Sequence, residues 1–374
     1  PNFPIMNVNI RPEKYLRYLY LPNLFTTRRT KEILSVNPTV VPQREEAKEV
    51  LVTVFDYDAD VLDEKKLNGV KDCFQYKTSG HTTWINIDGL KKEDTEAICS
   101  AFSIHYLITE DILSVGQRPK TDETEGVLYC LLNMLYYNET KLEVEVEQIS
   151  IVLGKNFLIS FQEEAIRDVF NPVRNKLKSS RSQIRQRPVD YLLYSMIDLI
   201  VDNYFVVMEK LGEQIELLEE EVTRRSNKRS LAKINQLRKE LIVLKRNIGP
   251  VRDLVNSIIR SESELLDDNT VKYFKDVHDH ISQAHDLSDN YRDFMMTIQD
   301  LYLSNVNLKM NEAMKIMAVV TSLLAPATVI GGIFGMNFRI IPFSENPNGF
   351  YFVVVLMIIV PLFMISWFKR KGLL

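Results

Sequence analysis

The sequence predicts an α+β protein that ends in a two-helix membrane anchor. Three observations support this: β-rich runs in the first half of the chain, an almost unbroken helical pattern after residue 188, and two uncharged apolar runs near the C-terminus. The 374 residues, 45% hydrophobic and 26% charged, suit a folded chain of two or three domains. The formal net charge of −4 argues against nucleic acid as a partner, because binding phosphate needs a basic surface.

Residues 1–186 are expected to form a mixed α/β domain. Runs rich in β-branched and aromatic residues predict strands at 49–55, 81–87, 127–137, 142–153 and 157–161. Helices are expected near 93–102 and 165–178. Glu110 and Asp111 fall in a short helical turn.

Residues 187–268 are expected to form a helical hairpin. The pattern is helical from 191 to about 261, with breaks predicted at 226–228 and near 249–250. The first arm is acidic and the second is basic. Both arms repeat apolar residues at helical spacing: Leu211, Ile215, Leu218 and Val222, then Leu231, Ile234, Leu237, Leu241 and Leu244. Two amphipathic helices of opposite charge joined by a short turn are expected to pack antiparallel.

Residues 269–336 are expected to form one long stalk helix that continues into a first membrane span at 316–336. That span contains no Asp, Glu, Lys, Arg or His, and neither does a second span at 349–368. Each has the ~20 residues that a helix needs to cross hydrocarbon. A pair of buried core helices is the alternative, but uncharged runs of this length are rare in soluble proteins.

The two spans are expected to form a hairpin, because the external loop at 337–348 is too short for a domain. Basic residues flank the hairpin on one side: Lys309 and Lys315 before the first span, and a basic tail at 369–374 after the second. The positive-inside rule then places both termini in the cytoplasm of a multi-pass protein of the cell (inner) membrane.

The first span has two different faces at 100° per residue. One arc is small or weakly polar and holds Asn311, Met314, Met317, Thr321, Ala325, Thr328 and Gly332. The opposite arc is bulky and holds Ile316, Val319, Leu323, Pro326, Ile330, Ile333 and Phe334. The pattern alone fits a pore lining and tight packing between helices equally well. The lack of a charge within the span disfavours a proton relay.

The end of this helix carries a resemblance. The sequence GMNF, two C-terminal spans and a short basic tail are together similar to the CorA family of magnesium transport proteins. Family-like segments follow in order: TWINIDG, EDILSVGQRPK, DYLLYSMIDLIVDNYF, VKYFKDVHDH and KIMAVVTSLLAPATVIGGIFGMNF. The resemblance covers nearly the whole chain. It implies a homopentamer with a cytosolic α/β domain and long helices forming a funnel, and with five first spans around a pore.

The resemblance also implies roles in conduction. Gly335, Met336 and Asn337 would form the selectivity filter, with Gly335 permitting a turn and an Asn337 ring holding Mg²⁺ through its waters. The implied pore lining is Asp300, Asn311, Met314, Met317, Thr321, Ala325, Thr328 and Gly332. Met317 and Ala325 align with a hydrophobic constriction, and Asp300 with an acidic ring. Two residues depart from the family: Ala325 is small for a constriction, and Arg339 stands where an acid would recruit cations, partly offset by Glu345.

Regulation is implied in the soluble part. The resemblance sets Asp276 against Asp111 of the adjacent protomer through Mg²⁺, with Glu110, Asp198 and His280 near a second ion. Mg²⁺ would thus be substrate and regulatory ligand, and no organic cofactor is expected. Cytosolic Mg²⁺ would clamp the ring shut, and its loss would let the carboxylates repel each other.

Three alternatives to Mg²⁺ transport remain open, besides possible passage of Co²⁺ or Ni²⁺. A Zn²⁺ transporter of the same architecture is one, although the pore arc offers none of zinc's usual Cys or His ligands. A non-conducting, membrane-anchored helical scaffold is another, but it leaves the polar arc and Asn337 without a role. An enzyme is disfavoured, because the sequence contains no P-loop, nucleophile elbow, HExxH or Gly-rich dinucleotide turn.

Overall fold

The computed structural model describes residues 47, 49–164, 167–336 and 346–372. The chain divides into two compact units. The first comprises the chain to residue 220 together with 228–297, and the second comprises 221–227 and everything from residue 298 onward.

The first unit contains a mixed seven-stranded sheet. Its strands are β1 (Leu51–Tyr57), β2 (Leu62–Leu67), β3 (Thr82–Asp88), β4 (Lys120–Thr124), β5 (Val127–Asn138), β6 (Glu143–Leu153) and β7 (Phe157–Gln162). They lie in the order β2-β1-β3-β7-β6-β5-β4. Only β3 and β7 are parallel; the other neighbours are antiparallel. The five predicted strands are confirmed, whereas β2 and β4 were not foreseen.

The helices fall into a short group and a long group. The short ones are a 3₁₀ helix (Val70–Thr78), α1 (Lys92–Ala101), α2 (Tyr106–Leu113), α3 (Asn171–Lys178) and α4 (Gln183–Gln186). The long ones are α5 (Asp190–Arg225), α6 (Lys228–Arg260), α7 (Asp268–Phe334) and α8 (Gly349–Arg370). The helix predicted at 165–178 was too long, because α3 begins only at Asn171, with a proline in its first turn where the missing N–H costs nothing.

Both faces of the sheet bury side chains. Ile85 and Ile87 of β3 belong to a core that also contains Ile98 of α1 and Ile112 of α2. Trp84 points the other way, since successive strand residues alternate, and its ring stacks on Phe55 with centroids 4.8 Å apart.

Two of the long helices are bonded directly to the sheet. The Tyr204 hydroxyl of α5 donates to the carbonyl of Asn133 at 2.5 Å. The Glu240 carboxylate of α6 accepts from the backbone N–H of Val144 at 2.7 Å. Both contacts fix the hairpin helices against β5 and β6.

The break predicted at 226–228 is confirmed, and the one predicted near 249–250 was wrong. Helix α6 runs through Pro250, which is itself buried. Proline removes one backbone hydrogen bond from a helix, but Ile248 and Val251 on either side are fully buried. We attribute the continuity of α6 to this apolar burial.

The second unit holds the apolar helices at the C-terminus. Within the part of the chain that the structure describes, three helices, α5, α7 and α8, are long and apolar enough to cross a membrane. The apolar stretch of α5 is mostly buried in protein, whereas those of α7 and α8 are almost wholly exposed. Helix α7 continues through Pro326. The Lys315 ammonium donates to the carbonyl of Gly372 at 3.1 Å, which joins α7 to the segment that follows α8.

Candidate functional site

A cluster of potential metal ligands lies between α5 and α7 in the first unit. It comprises Asp198, Asp202 and His280, whose ligand atoms all lie within 4.8 Å of one another. The two aspartates are four residues apart on α5 and therefore share one helix face. The Nδ1 atom of His280 is buried and, among the described residues, has no hydrogen-bond partner.

The negative charge in this cluster is only partly compensated. Burial raises the pKa of Asp198, and the negative charge of Asp202 raises it further. Lys176 and His280 act in the opposite direction, as smaller effects. The Asp202 carboxylate held this close disfavours the ionised form of Asp198. A bound cation would relieve both effects.

Two carboxylate oxygens and an imidazole nitrogen suit a divalent cation. Mg²⁺ prefers oxygen ligands and keeps several of its waters, so two aspartates are enough to hold it. The imidazole adds affinity for Co²⁺, Ni²⁺ or Zn²⁺, which accept nitrogen ligands readily. The residues therefore fit the ion class that the sequence implied.

Asp276 lies one turn before His280 but does not join this cluster. Its exposed side chain lines an open cavity of about 520 Å³ together with Arg187, Asn269, Lys272 and Tyr273. The Arg187 guanidinium lies over the rings of Tyr191 and Tyr273, 5.1 and 4.9 Å from their centres. The Asp276 carboxylate is accessible from outside the protomer.

The other two regulatory candidates lie on α2. Glu110 is exposed. Asp111 is partly buried and has a neighbour on each carboxylate oxygen. The Gln117 side-chain amide donates to Oδ1 at 2.8 Å, and the Lys120 ammonium lies 2.6 Å from Oδ2. Among the described residues, neither acid belongs to the Asp198–Asp202–His280 cluster.

The proposed pore arc lies in the second unit, and every residue in it is exposed there. This holds for Asp300, Asn311, Met314, Met317, Thr321, Ala325, Thr328 and Gly332. The opposite arc is covered only near its middle: Val319 is 8% exposed and Leu323, Pro326 and Ile330 are half-buried, whereas Ile316, Ile333 and Phe334 are exposed. Within this unit the small, weakly polar face of α7 is exposed along its whole length, and the bulky face is covered over part of its length.

Two of the three filter candidates lie within the described residues. Gly335 and Met336 are exposed, and Asn337 lies outside the described residues. The N–H of Gly335 donates to the carbonyl of Gly331 at 2.9 Å, as in a helix. Gly335 does not take a positive φ. The backbone is thus still helix-like at Gly335, and the turn that would aim Asn337 at the axis stays a prediction.

Sequence reasoning missed two residues at these sites. Asp202 repeats the four-residue spacing of Asp276 and His280, so the pair Asp198–Asp202 carried a usable signal. Lys120 stands at the end of the family-like segment EDILSVGQRPK. Nothing in its spacing from Asp111 indicated the ion pair.

Comparison with known proteins gives a consistent result. A family model described as CorA-like Mg2+ transporter protein matches residues 79–370. The cobalt/magnesium transport protein CorA of Thermotoga maritima is 38% identical over 321 residues, which is 86% of this chain and 91% of the relative. A more distant relative, the zinc transport protein ZntB of Yersinia pseudotuberculosis, is 20% identical over 294 residues, 77% of this chain and 86% of the relative.

The fold is also that of a solved relative. The structure of the CorA magnesium transporter from Methanocaldococcus jannaschii matches with a TM-score of 0.74 at 23% identity. The match covers 87% of this chain and 99% of that one. The sheet, the long helices and the apolar C-terminal helix thus form one known architecture.

Proposed function

Because the chain belongs to the family of CorA-like Mg²⁺ transporter proteins, we propose that it transports Mg²⁺ into the cell. The hydrated ion would pass through a pore lined by α7. Co²⁺ and Ni²⁺ are further candidate cargo. The observation that carries the proposal is the free arc of α7, which is small and weakly polar while the opposite, bulky arc is partly covered. A scaffold without conduction gives this asymmetry no role.

Conduction requires more than one copy of α7, because a single helix encloses no path. We propose a homopentamer in which five Asn337 amides face the axis and hold the ion through its water shell. Mg²⁺ loses water reluctantly, and neutral oxygens bind it weakly enough for release. Met317, 71% exposed on the free arc, would supply an apolar ring that closes by dewetting, since Ala325 is too small to do so alone.

The ends of the two membrane helices support a hairpin. The hydrogen bond from Lys315 to the carbonyl of Gly372 brings the basic residues before α7's apolar part close to those after α8. Positive residues favour the cytoplasmic side. We therefore propose that both termini are cytoplasmic in the cell membrane.

Closure would follow from metal binding in the first unit. The cluster Asp198–Asp202–His280 would hold one ion within a protomer, and exposed Asp276 would share another with Asp111 of a neighbouring protomer. An ion that binds the closed arrangement better shifts the equilibrium toward it by mass action. Cytosolic Mg²⁺ would thus limit its own entry.

The conduction proposal is tested with Asn337→Ala in proteoliposomes. Mg²⁺ flux is expected to be lost while the oligomer, measured by light scattering, persists. Asn348→Ala is the matched control: it removes an exposed amide at the start of α8, and flux should be retained. Unchanged flux in Asn337→Ala would remove the filter role.

The same assay decides between cargo ions. Parallel measurements with Mg²⁺, Co²⁺, Ni²⁺ and Zn²⁺ are expected to rank Mg²⁺ or Co²⁺ above Zn²⁺. Zn²⁺ is the second candidate because one relative is a zinc transport protein. Flux of Zn²⁺ alone would replace the magnesium assignment.

The sensor proposal is tested by protease protection of the detergent-solubilised protein. Asp202→Asn and Asp276→Lys should each reduce the protection that Mg²⁺ confers. Asp279→Asn is the control, because this neighbouring side chain is 77% exposed and outside the cluster. Equal protection in parent and both test variants would dispose of the sensor.

A further inference from the structure

We propose that Lys120 is a built-in counter-cation that competes with Mg²⁺ for Asp111, and so sets the Mg²⁺ concentration at which the transporter closes. This inference rests on the proposed role of Asp111 as a ligand between protomers. It adds a residue that tunes affinity without binding the ion.

The geometry shows the competition directly. The Lys120 ammonium lies 2.6 Å from Oδ2 of Asp111 and farther, 4.0 Å, from Oδ2 of Asp122. Its main partner is therefore Asp111. Gln117 takes the other oxygen at 2.8 Å. The Asp111 carboxylate is therefore already neutralised and hydrogen-bonded within its own chain.

Both ends of this ion pair are fixed by the backbone. Lys120 begins β4 and is paired with Leu131 of β5. The carbonyl of Asp111 accepts from the Gln148 amide of β6 at 3.2 Å. The two Cα atoms are thus tied to one sheet, while the Lys120 side chain remains 37% exposed and free to swing into water.

Mg²⁺ and an ammonium cannot both occupy the same carboxylate oxygen at close range. Mg²⁺ binds oxygen at about 2.0–2.1 Å, so it would approach Lys120 closely and meet strong repulsion. Binding therefore requires Lys120 to withdraw, and the ion pair opposes each binding event. A partly exposed pair of this kind shifts an equilibrium by about 2- to 5-fold.

Lys120 would also act when Mg²⁺ is scarce. An unpaired Asp111 facing Asp276 of a neighbour would repel it, since like charges that approach each other cost free energy. With Lys120 in place, part of this repulsion is cancelled within the protomer. The lysine thus weakens Mg²⁺ binding. It also reduces the repulsion between protomers that drives opening after the ion is released.

The test is the Mg²⁺ midpoint for protease protection of the full chain in detergent. Lys120→Gln should lower that midpoint by about 2- to 5-fold. Lys120→Arg keeps the charge and should stay near the parent. Lys92→Gln removes the same single positive charge from a side chain that is 68% exposed and pairs with Glu96 rather than Asp111. It should also leave the midpoint unchanged.

Asp111→Asn separates the two levels of the proposal. If Asp111→Asn loses protection while Lys120→Gln keeps the parent midpoint, the role of Lys120 is refuted and that of Asp111 stands. If Asp111→Asn behaves as the parent, the interface role of Asp111 fails and the inference fails with it. Should Lys120→Gln not fold, Lys120→Met retains the aliphatic stem and carries the same expected outcome.

Discussion

A buried carboxyl group on β6 gives the sharpest prediction about stability. Glu147 is 3% exposed. Its Oε1 accepts from the backbone N–H groups of Glu163 and Glu164 at 3.1 and 2.9 Å. Its Oε2 lies 3.1 Å from the Tyr136 hydroxyl, which lies 2.5 Å from the carbonyl of Arg167. Glu147 therefore ties the segment that follows β7 to the sheet.

Burial outweighs the hydrogen bonds in this network. The Tyr136 hydroxyl donates to the Arg167 carbonyl and, at longer distance, to Oε2 of Glu147. This bond and the Glu164 N–H both lower the pKa of Glu147, but by less than burial raises it. Burial, with a smaller contribution from the charges of Glu163 and Glu164, raises the pKa of Glu147 from 4.5 to about 7.

The magnitude follows from linkage. A carboxyl whose pKa is higher in the folded than in the unfolded state contributes stability that is fully present below pH 4.5 and lost as the pH rises to about 7. At about 1.4 kcal/mol per pH unit, ionised Glu147 costs the fold about 3 kcal/mol above pH 7. Glu147→Gln mimics the neutral acid but adds one N–H that needs a partner. We expect it to be more stable than the parent by about 1–3 kcal/mol above pH 7.

The assay is chemical denaturation of the detergent-solubilised protein as a function of pH, together with the infrared band of protonated carboxyl groups. The difference between Glu147→Gln and the parent should grow as the pH rises from 4.5 toward 7, and the infrared band of Glu147 should be lost as the pH passes through about 7. Glu145→Gln is the matched control on the same strand. The Asn138 hydrogen bond and the neighbouring Lys141 and Arg167 lower the pKa of Glu145, so removing its charge should destabilise the protein at neutral pH. A Glu147→Gln protein less stable than the parent at alkaline pH would refute the reasoning.

Two further predictions concern packing on the sheet. Gly154→Ala should lower the free energy of unfolding by about 1–3 kcal/mol, because its Cβ would lie 2.3 Å from the Phe157 ring; unchanged denaturation would show that the ring moves freely. Tyr204→Phe should cost about 1–3 kcal/mol, because the Asn133 carbonyl loses its buried donor; a drop in Mg²⁺ flux without loss of stability would contradict this structural role.

The strands that the sequence predicts are those with apolar character, and the two that it misses are the edges of the sheet. β2 has the sequence LDEKKL and β4 has KTDET, and most of their side chains are exposed or half-exposed. An edge strand needs only one partner, and charges on it deter pairing with other chains. Such a strand forms because its neighbour provides a template, which local sequence does not reveal.

Helix α6 shows the same limit in reverse. Gly249-Pro250 is a strong local signal for a helix end, yet the helix continues to Arg260. Asn247 just before it donates to the Val243 carbonyl one turn back and accepts from Asn133 of β5. Tertiary contacts on the buried face thus outweigh one lost backbone hydrogen bond.

The candidate metal site illustrates which part of a function is readable from sequence. Spacing places Asp198 with Asp202 on one face of α5, and Asp276 with His280 on one face of α7. It does not say which members of the two pairs meet. The structure joins His280 to the α5 aspartates and leaves Asp276, one turn away, open to a cavity. Because both residues lie on the same helix, an ion held at His280 and an ion held by Asp276 and a neighbour would restrain the same element. That helix continues into the proposed pore lining and would itself couple the proposed sensor to the proposed pore.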